Sequence, residues 1–107
     1  MSNWHEISVD ELLPSYKDWN IVDIRDINAY QQGHIPGAYH LTNDNVHQFI
    51  NDSDFEQPLV VVCYAGHSSK GAAEVLSNAG FETVYSLEGG MNFWQSAYPN
   101  DMDFSEN

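Results

Sequence analysis

The chain has 107 residues and a formal net charge of -13, because sixteen acidic side chains stand against three Lys and Arg. This length fits one domain, and a hydrophobic content of 42% is enough for one core. The charge argues against nucleic acid and anionic membranes as partners, since too few cations are present to neutralise phosphates or lipid headgroups. We interpret the acidic surface as a source of solubility, ahead of a docking face for a basic partner.

Nothing in the sequence indicates a membrane anchor or an export signal. No apolar run approaches the roughly 20 residues of a membrane-spanning helix, and residues 1–6 lack the basic and apolar segments of a secretory signal. The single cysteine, Cys63, cannot form an internal disulfide. We therefore expect a reducing, cytoplasmic setting.

Short strands alternate with helices along the chain, which predicts an α/β fold with a mainly parallel central sheet and helices on both of its faces. Hydrophobic periodicity, caps and turn residues set the expected bounds. In chain order these are a strand over 19–25, helical turns over 27–32, a turn over 33–38, a strand over 38–41, a helix from an N-cap at Thr42 to Ile50, a strand over 59–63, a loop over 64–68, a helix over 69–78, a strand over 83–87, and a helix from Gly89-Gly90 to Tyr98.

The strand over 59–63 carries the candidate chemistry. It is apolar throughout, as expected of a central parallel strand that is covered on both faces. Cys63 ends this strand, at the edge of the sheet where α/β proteins bind ligands. A curled loop that runs into a helix start directs several N–H groups at one point, and such donors stabilise a thiolate. The alternative is a buried structural cysteine, since free cysteine is often buried.

The polar composition of the loop favours the functional interpretation of Cys63. Ser68 and Ser69 can donate hydrogen bonds, and either is a candidate cap for the helix. Lys70 would place a cation at the first helical turn, whereas His67 is either a solvent-exposed side chain or a substrate contact. The predicted site consists of the nucleophile Cys63 and the loop residues Tyr64, Ala65, Gly66, His67, Ser68, Ser69 and Lys70.

Four segments together resemble the rhodanese family, and they cover nearly the whole chain. The stretch Cys-Tyr-Ala-Gly-His-Ser-Ser-Lys-Gly-Ala-Ala at 63–73 resembles the active-site loop and following helix of that family. Asp-Ile-Arg at 23–25 resembles its Asp-x-Arg segment, and 33–38 resembles its Gly-His-Ile-Pro-Gly-Ala signature. Gly-Gly at 89–90 with Trp94 resembles its C-terminal segment. The resemblance is greatest to the small single-domain thiosulfate sulfurtransferases of the GlpE type.

The remaining segments are given structural roles. Asp23 and Arg25 lie two apart on a strand and so point to the same side, where the carboxylate can hold the only arginine near the loop. Arg25 is either structural or a contact to the substrate anion, and the structural role is favoured. His34 is expected to stabilise its turn and Trp94 to belong to the core.

Two other functions are weighed against sulfur transfer. A cysteine-based phosphatase or arsenate reductase uses a Cys-x5-Arg loop, but position 69 is Ser, so the guanidinium fork that clamps a phosphoryl group is missing. A non-catalytic rhodanese-like binding module is the second alternative, although such modules often lack the cysteine.

No metal site is predicted, because one cysteine is too few and the five histidines show no ligand spacing, namely His5, His34, His40, His47 and His67.

The composition of residues 101–107 indicates a polar tail, which leaves a single domain over 1–100. The resemblance implies a double-displacement reaction that needs no cofactor. The Cys63 thiolate attacks the outer sulfur of thiosulfate, sulfite leaves, and the resulting persulfide passes its sulfur to a thiophilic acceptor. Cyanide is the acceptor expected in vitro, and a thiol such as reduced thioredoxin is the acceptor expected in the cell.

Overall fold

A five-stranded parallel sheet lies at the centre of the computed structural model, which describes residues 3–104. The order of its strands across the sheet is β1-β5-β4-β2-β3. The strands are β1 (Trp4–Ile7), β2 (Asn20–Asp23), β3 (Tyr39–His40), β4 (Leu59–Val62) and β5 (Val84–Leu87).

Helices cover both faces of this sheet, which confirms the predicted fold class. They are α1 (Val9–Leu12), α2 (Ile27–Gln32), α3 (Val46–Asp52), α4 (Ser68–Ala79) and α5 (Gly90–Ala97). The residues of α1 and α5 pack in one hydrophobic cluster, and those of α3 and α4 pack in the other. Within residues 3–104, no helix has the length and the apolar character to cross a membrane.

The strand β4 lies between β5 and β2 and is fully buried along its length. Because successive side chains of a strand point to opposite faces, Val60 and Val62 pack in the cluster with α1 and α5. Leu59 and Val61 pack in the cluster with α3 and α4. Burial on both faces explains why this strand has no polar residue, as the sequence predicts.

The strand β1 and the helix α1 were not predicted from the sequence. The strand β1 is an edge strand that pairs with β5, and most of its side chains are exposed or half-buried, so it lacks a continuous apolar signal. The helix α1 begins with a capping box, in which the Ser8 hydroxyl accepts from the Glu11 backbone N–H and the Glu11 carboxylate accepts from the Ser8 N–H. This Ser-x-x-Glu pattern is visible in the sequence and marks a helix start.

Two local expectations are wrong. Thr42 is not the N-cap of α3, because it lies in a turn where its N–H donates to the Asn45 side chain, and Asn45 precedes the helix. The helical pattern over 69–78 also predicts that Val75 faces inward with Ala72, Ala73 and Leu76, but Val75 is 60% exposed. The helix α4 faces the sheet with Ser69, Ala73 and Leu76, and a residue two positions after Ala73 lies on the opposite side of the helix.

The residues after α5 fold back onto the domain. The backbone of Asp103 pairs with that of His34 in an antiparallel bridge, and Met102 packs against the core. Residues 105–107 of the predicted tail lie outside the described residues.

Candidate active site

Cys63 follows the last residue of β4 and leads into the loop over 64–67 that precedes α4. The residue is only 2% exposed, whereas Ala65, His67 and Ser68 in the same segment are exposed. The thiol is therefore almost completely shielded from solvent, although the segment that follows it is exposed.

Hydrogen-bonding groups of the loop and of the first turn of α4 surround the sulfur. The N–H of Gly66 lies 3.2 Å from Cys63 Sγ, and the N–H of Ser69 lies 3.3 Å from it. The Cys63 thiol donates to the Ser69 hydroxyl oxygen at 3.2 Å, and once the sulfur is ionised this hydroxyl can only donate to it. The loop thus has the convergent geometry that its small residues predict, and it can stabilise negative charge on sulfur.

Burial and hydrogen bonding oppose each other at the thiol. Burial raises the pKa of Cys63, but the Ser69 hydroxyl and the N–H groups of Ser69, Gly66 and Ala65 lower it, and the net result is a pKa below the ordinary value. A thiol with a lowered pKa has a larger thiolate fraction near neutral pH, and the thiolate is the nucleophile.

The first turn of α5 is hydrogen-bonded to the backbone of Cys63 and Tyr64. At the start of α5, the N–H of Met91 donates to the Cys63 carbonyl at 2.9 Å, and the N–H of Asn92 donates to the Tyr64 carbonyl at 3.0 Å. Gly90 has a left-handed φ of +55°, and a Cβ there would lie 2.4 Å from the Cys63 carbonyl oxygen. This close approach requires glycine at position 90, and the left-handed φ of +78° favours glycine at position 89.

The other polar residues of the predicted site lie at its exposed side. His67 is the N-cap of α4, and neither Ser68 nor Ser69 caps the helix with its side chain. The Lys70 ammonium lies 4.0 Å from the Glu6 carboxylate, and both side chains are more than 40% exposed. An exposed pair at this distance contributes little to stability.

Asp23 and Arg25 form a buried ion pair next to the loop. The Arg25 Nε lies 3.0 and 3.1 Å from the two carboxylate oxygens, and Nη2 lies 2.8 Å from Oδ2. Nη2 also donates to the Gly33 carbonyl at 2.7 Å. The guanidinium carbon is 5.8 Å from the centre of the Tyr64 ring, whose hydroxyl donates to the Asp26 carboxylate. These contacts favour a structural role for Arg25, which links β2, the 33–38 turn and the loop.

The histidine and tryptophan of the other two segments pack as the sequence predicts. His34 stacks on Tyr30 with ring centres 3.9 Å apart, and its Nδ1 lies 2.7 Å from the Tyr30 carbonyl oxygen. Trp94 is fully buried in the core, with its indole N–H on the Asp101 carbonyl. Both residues thus stabilise the fold.

A groove of about 830 Å³ lies beside the site. It runs along α4 and the connections that follow β2 and β3, and neither Cys63 nor any of residues 64–70 lines it. A single sulfur atom bound to Cys63 would need much less space than this groove offers. We therefore take the enclosed Cys63 thiol, and not the groove, as the candidate site. Among residues 3–104, no group of three or more His, Cys, Asp or Glu side chains is arranged to hold a metal ion.

Ser86 on β5 belongs to the surroundings of the site and was not identified from the sequence. Its hydroxyl lies 2.7 Å from that of Ser69, and both residues are fully buried. A serine within a strand gives no sequence signal of this contact, which arises because β5 lies next to β4 and beneath α4.

The fold and the site define an α/β domain that presents a hydrogen-bonded thiol at the carboxyl end of its central strand. The family model of the rhodanese-like domain matches the sequence over residues 8–97, and the chain belongs to that family.

Solved structures of the family share this fold. A rhodanese-related protein of Thermoplasma volcanium is 20% identical, with a TM-score of 0.81 over 95% of this chain and 100% of that one. A rhodanese-like domain protein of Staphylococcus aureus is 25% identical, with a TM-score of 0.79 over 97% of this chain and 100% of that one. The rhodanese-like domain of an Anabaena protein is 24% identical, with a TM-score of 0.81 over 94% of this chain and 79% of that one.

Proposed function

We propose that the protein is a thiosulfate sulfurtransferase of the GlpE type, which carries sulfane sulfur as a persulfide on Cys63. The observation that carries this proposal is the convergence of the Gly66 N–H, the Ser69 N–H and the Ser69 hydroxyl on Cys63 Sγ. These donors match an anionic sulfur, first as the thiolate and then within the persulfide.

The reaction proceeds in two displacements. The Cys63 thiolate attacks the outer sulfur of thiosulfate, a new S–S bond forms, and the bond to the inner sulfur breaks with its electron pair on the departing sulfite. A thiophilic acceptor then attacks the outer sulfur of the persulfide and restores the thiolate. With cyanide the product is thiocyanate, and with a thiol such as reduced thioredoxin it is a persulfide of the acceptor.

The site does not suit phosphoryl transfer. A phosphoryl group carries charge on several oxygens and is usually bound by a guanidinium or a metal. At position 69, where a Cys-x5-Arg loop has its arginine, this chain has a serine whose hydroxyl faces the sulfur. The chain's single arginine is engaged with Asp23 and Gly33.

The test is thiocyanate formation from thiosulfate and cyanide, with Cys63→Ser as the blank. We expect turnover by the wild-type protein and none by a folded Cys63→Ser variant, because a serine hydroxyl is far less acidic than a thiol and forms no persulfide. Varying both substrates should give the parallel double-reciprocal lines of a ping-pong reaction. If the folded wild-type protein forms no thiocyanate, the proposal fails and the non-catalytic binding module takes its place.

A cytoplasmic, reducing setting is part of the same proposal. Cys63 is a free thiol, and persulfide chemistry requires it to remain one. Thiol acceptors such as reduced thioredoxin are also maintained in such a compartment.

A further inference from the structure

Two buried serines form a chain of hydroxyl groups that ends on the sulfur. The Ser69 Oγ lies 3.2 Å from Cys63 Sγ and 2.7 Å from the Ser86 Oγ. Ser69 and Ser86 each have no exposed surface. The separation of 2.7 Å is that of a good O–H···O hydrogen bond, so one of the two hydroxyls donates to the other.

The apolar surroundings of Ser86 explain why its hydroxyl needs Ser69 as a hydrogen-bond partner. Ser86 is on β5, two residues after Val84, and therefore points to the sheet face that α4 covers. That face is otherwise an apolar cluster, where an unpaired hydroxyl would be unfavourable. The hydroxyl is satisfied by pairing with Ser69, in the first turn of α4.

Because each hydroxyl has one proton, the ionisation state of the sulfur decides the direction of the chain. A thiolate only accepts, so the Ser69 proton must point at Cys63 Sγ. In the short contact between the Ser69 and Ser86 hydroxyls, Ser86 must then be the donor and Ser69 the acceptor. With the neutral thiol, both hydroxyls can reverse, since Sγ–H can donate to Ser69.

We propose that Ser86 is a positioning residue, which donates to the Ser69 hydroxyl and thereby directs the Ser69 proton at the anionic sulfur of Cys63. This inference deepens the proposed function and names a residue that does not itself contact the sulfur. Without the Ser86 hydroxyl, Ser69 loses the donor that orients it, and the thiolate loses part of its stabilisation.

The test is a pH titration of the Cys63 thiol, in which the rate of alkylation with iodoacetamide is measured at each pH. Ser86→Ala should raise the thiol pKa by about half a unit to one unit, as expected for one hydrogen bond acting through another. Ser86→Thr retains a hydroxyl and should keep the thiol pKa close to the wild-type value. Ser77→Ala is the matched control, because that serine is in the same helix as Ser69 but its hydroxyl accepts from the Asn3 backbone.

A double variant shows whether Ser86 acts through Ser69. If it does, Ser86→Ala should shift the thiol pKa in the wild-type background and cause little further shift when Ser69 is already alanine. Urea unfolding of every variant checks the fold, and Ser86→Ala adds no bulk to the core. An unchanged thiol pKa in a folded Ser86→Ala protein would overturn the inference. An equal shift in the Ser69→Ala background would also overturn it.

The titration requires no sulfur donor, so it is independent of the reaction. A protein that shows the hydroxyl coupling but no thiocyanate formation would retain Ser86 as a positioning residue and lose the proposed activity. A protein that forms thiocyanate but shows no coupling would keep the activity and lose the role of Ser86.

Discussion

The backbone N–H of Met91 donates to the carbonyl oxygen of Cys63 at 2.9 Å, which joins the first turn of α5 to the end of β4. Cys63 is thus held on two sides, by its own loop at the sulfur and by α5 at the backbone. The contact is short enough that it leaves no space for a side chain at Gly90, whose Cβ would lie 2.4 Å from the same carbonyl oxygen.

Gly90→Ala should therefore damage both the fold and the site. The left-handed φ of +55° is strained for alanine, and the contact with the Cys63 backbone forces α5 away from the loop. We expect a loss of at least about 2 kcal/mol in the free energy of unfolding and a raised thiol pKa. Urea unfolding and alkylation rates measure the two effects.

Gly71→Ala is the matched control for this substitution. Gly71 is in α4, and a Cβ there would meet nothing within 4 Å, so alanine should be neutral or stabilising by up to about 1 kcal/mol. A Gly90→Ala protein that unfolds at the wild-type urea concentration with an unshifted thiol pKa would refute the close-approach explanation.

The buried pair of Asp23 and Arg25 should contribute strongly to the fold. The side chains are only 1% and 6% exposed, and Asp23→Asn would leave the guanidinium buried without its counter-charge. We expect a loss of about 3 kcal/mol or more in the free energy of unfolding. Glu6→Gln, which removes the charge from an exposed pair, should change it by less than about 0.5 kcal/mol. Similar values for the two variants would mean that Asp23 and Arg25 do not act as a buried pair.

The lowered pKa of Cys63 predicts how the thiol responds to pH. Hydrogen bonds in the folded protein offset the effect of burial and favour the thiolate, so the alkylation rate should fall at a lower pH than it does for an ordinary cysteine. The same protein unfolded in guanidinium chloride provides the reference, where the midpoint should return to about 8.5. A folded-state midpoint equal to or above the unfolded one would show that burial outweighs the loop donors.

The sequence contained enough information for the fold class and for the position of Cys63, because both depend on strong local patterns. The apolar strand β4 and the Gly- and Ser-containing loop after it can be recognised without knowledge of their neighbours. The pairing of Asp23 with Arg25 was also expected, but the strand predicted over 19–25 ends at Asp23, and Arg25 reaches the carboxylate from a bend in which its own N–H donates to Asp23.

Other features depended on tertiary contacts and could not be predicted in this way. The strand β1 is stabilised by pairing with β5 at the edge of the sheet and has little apolar pattern of its own. Ser86 meets Ser69 only because α4 crosses the sheet at β5. The start of α3 was misplaced because Thr42 and Asn45 are both residue types that often cap helices, whereas here the Asn45 side chain accepts from the Thr42 N–H and makes no cap hydrogen bond to α3.

The most direct test of the account is the intact mass of the protein before and after incubation with thiosulfate. We predict a gain of one sulfur atom, located at Cys63 by peptide mapping, absent from Cys63→Ser and removed by cyanide with formation of an equal amount of thiocyanate. No gain in mass on a folded protein with an accessible thiol would contradict persulfide formation. A gain that persists in Cys63→Ser would contradict the assignment of the nucleophile.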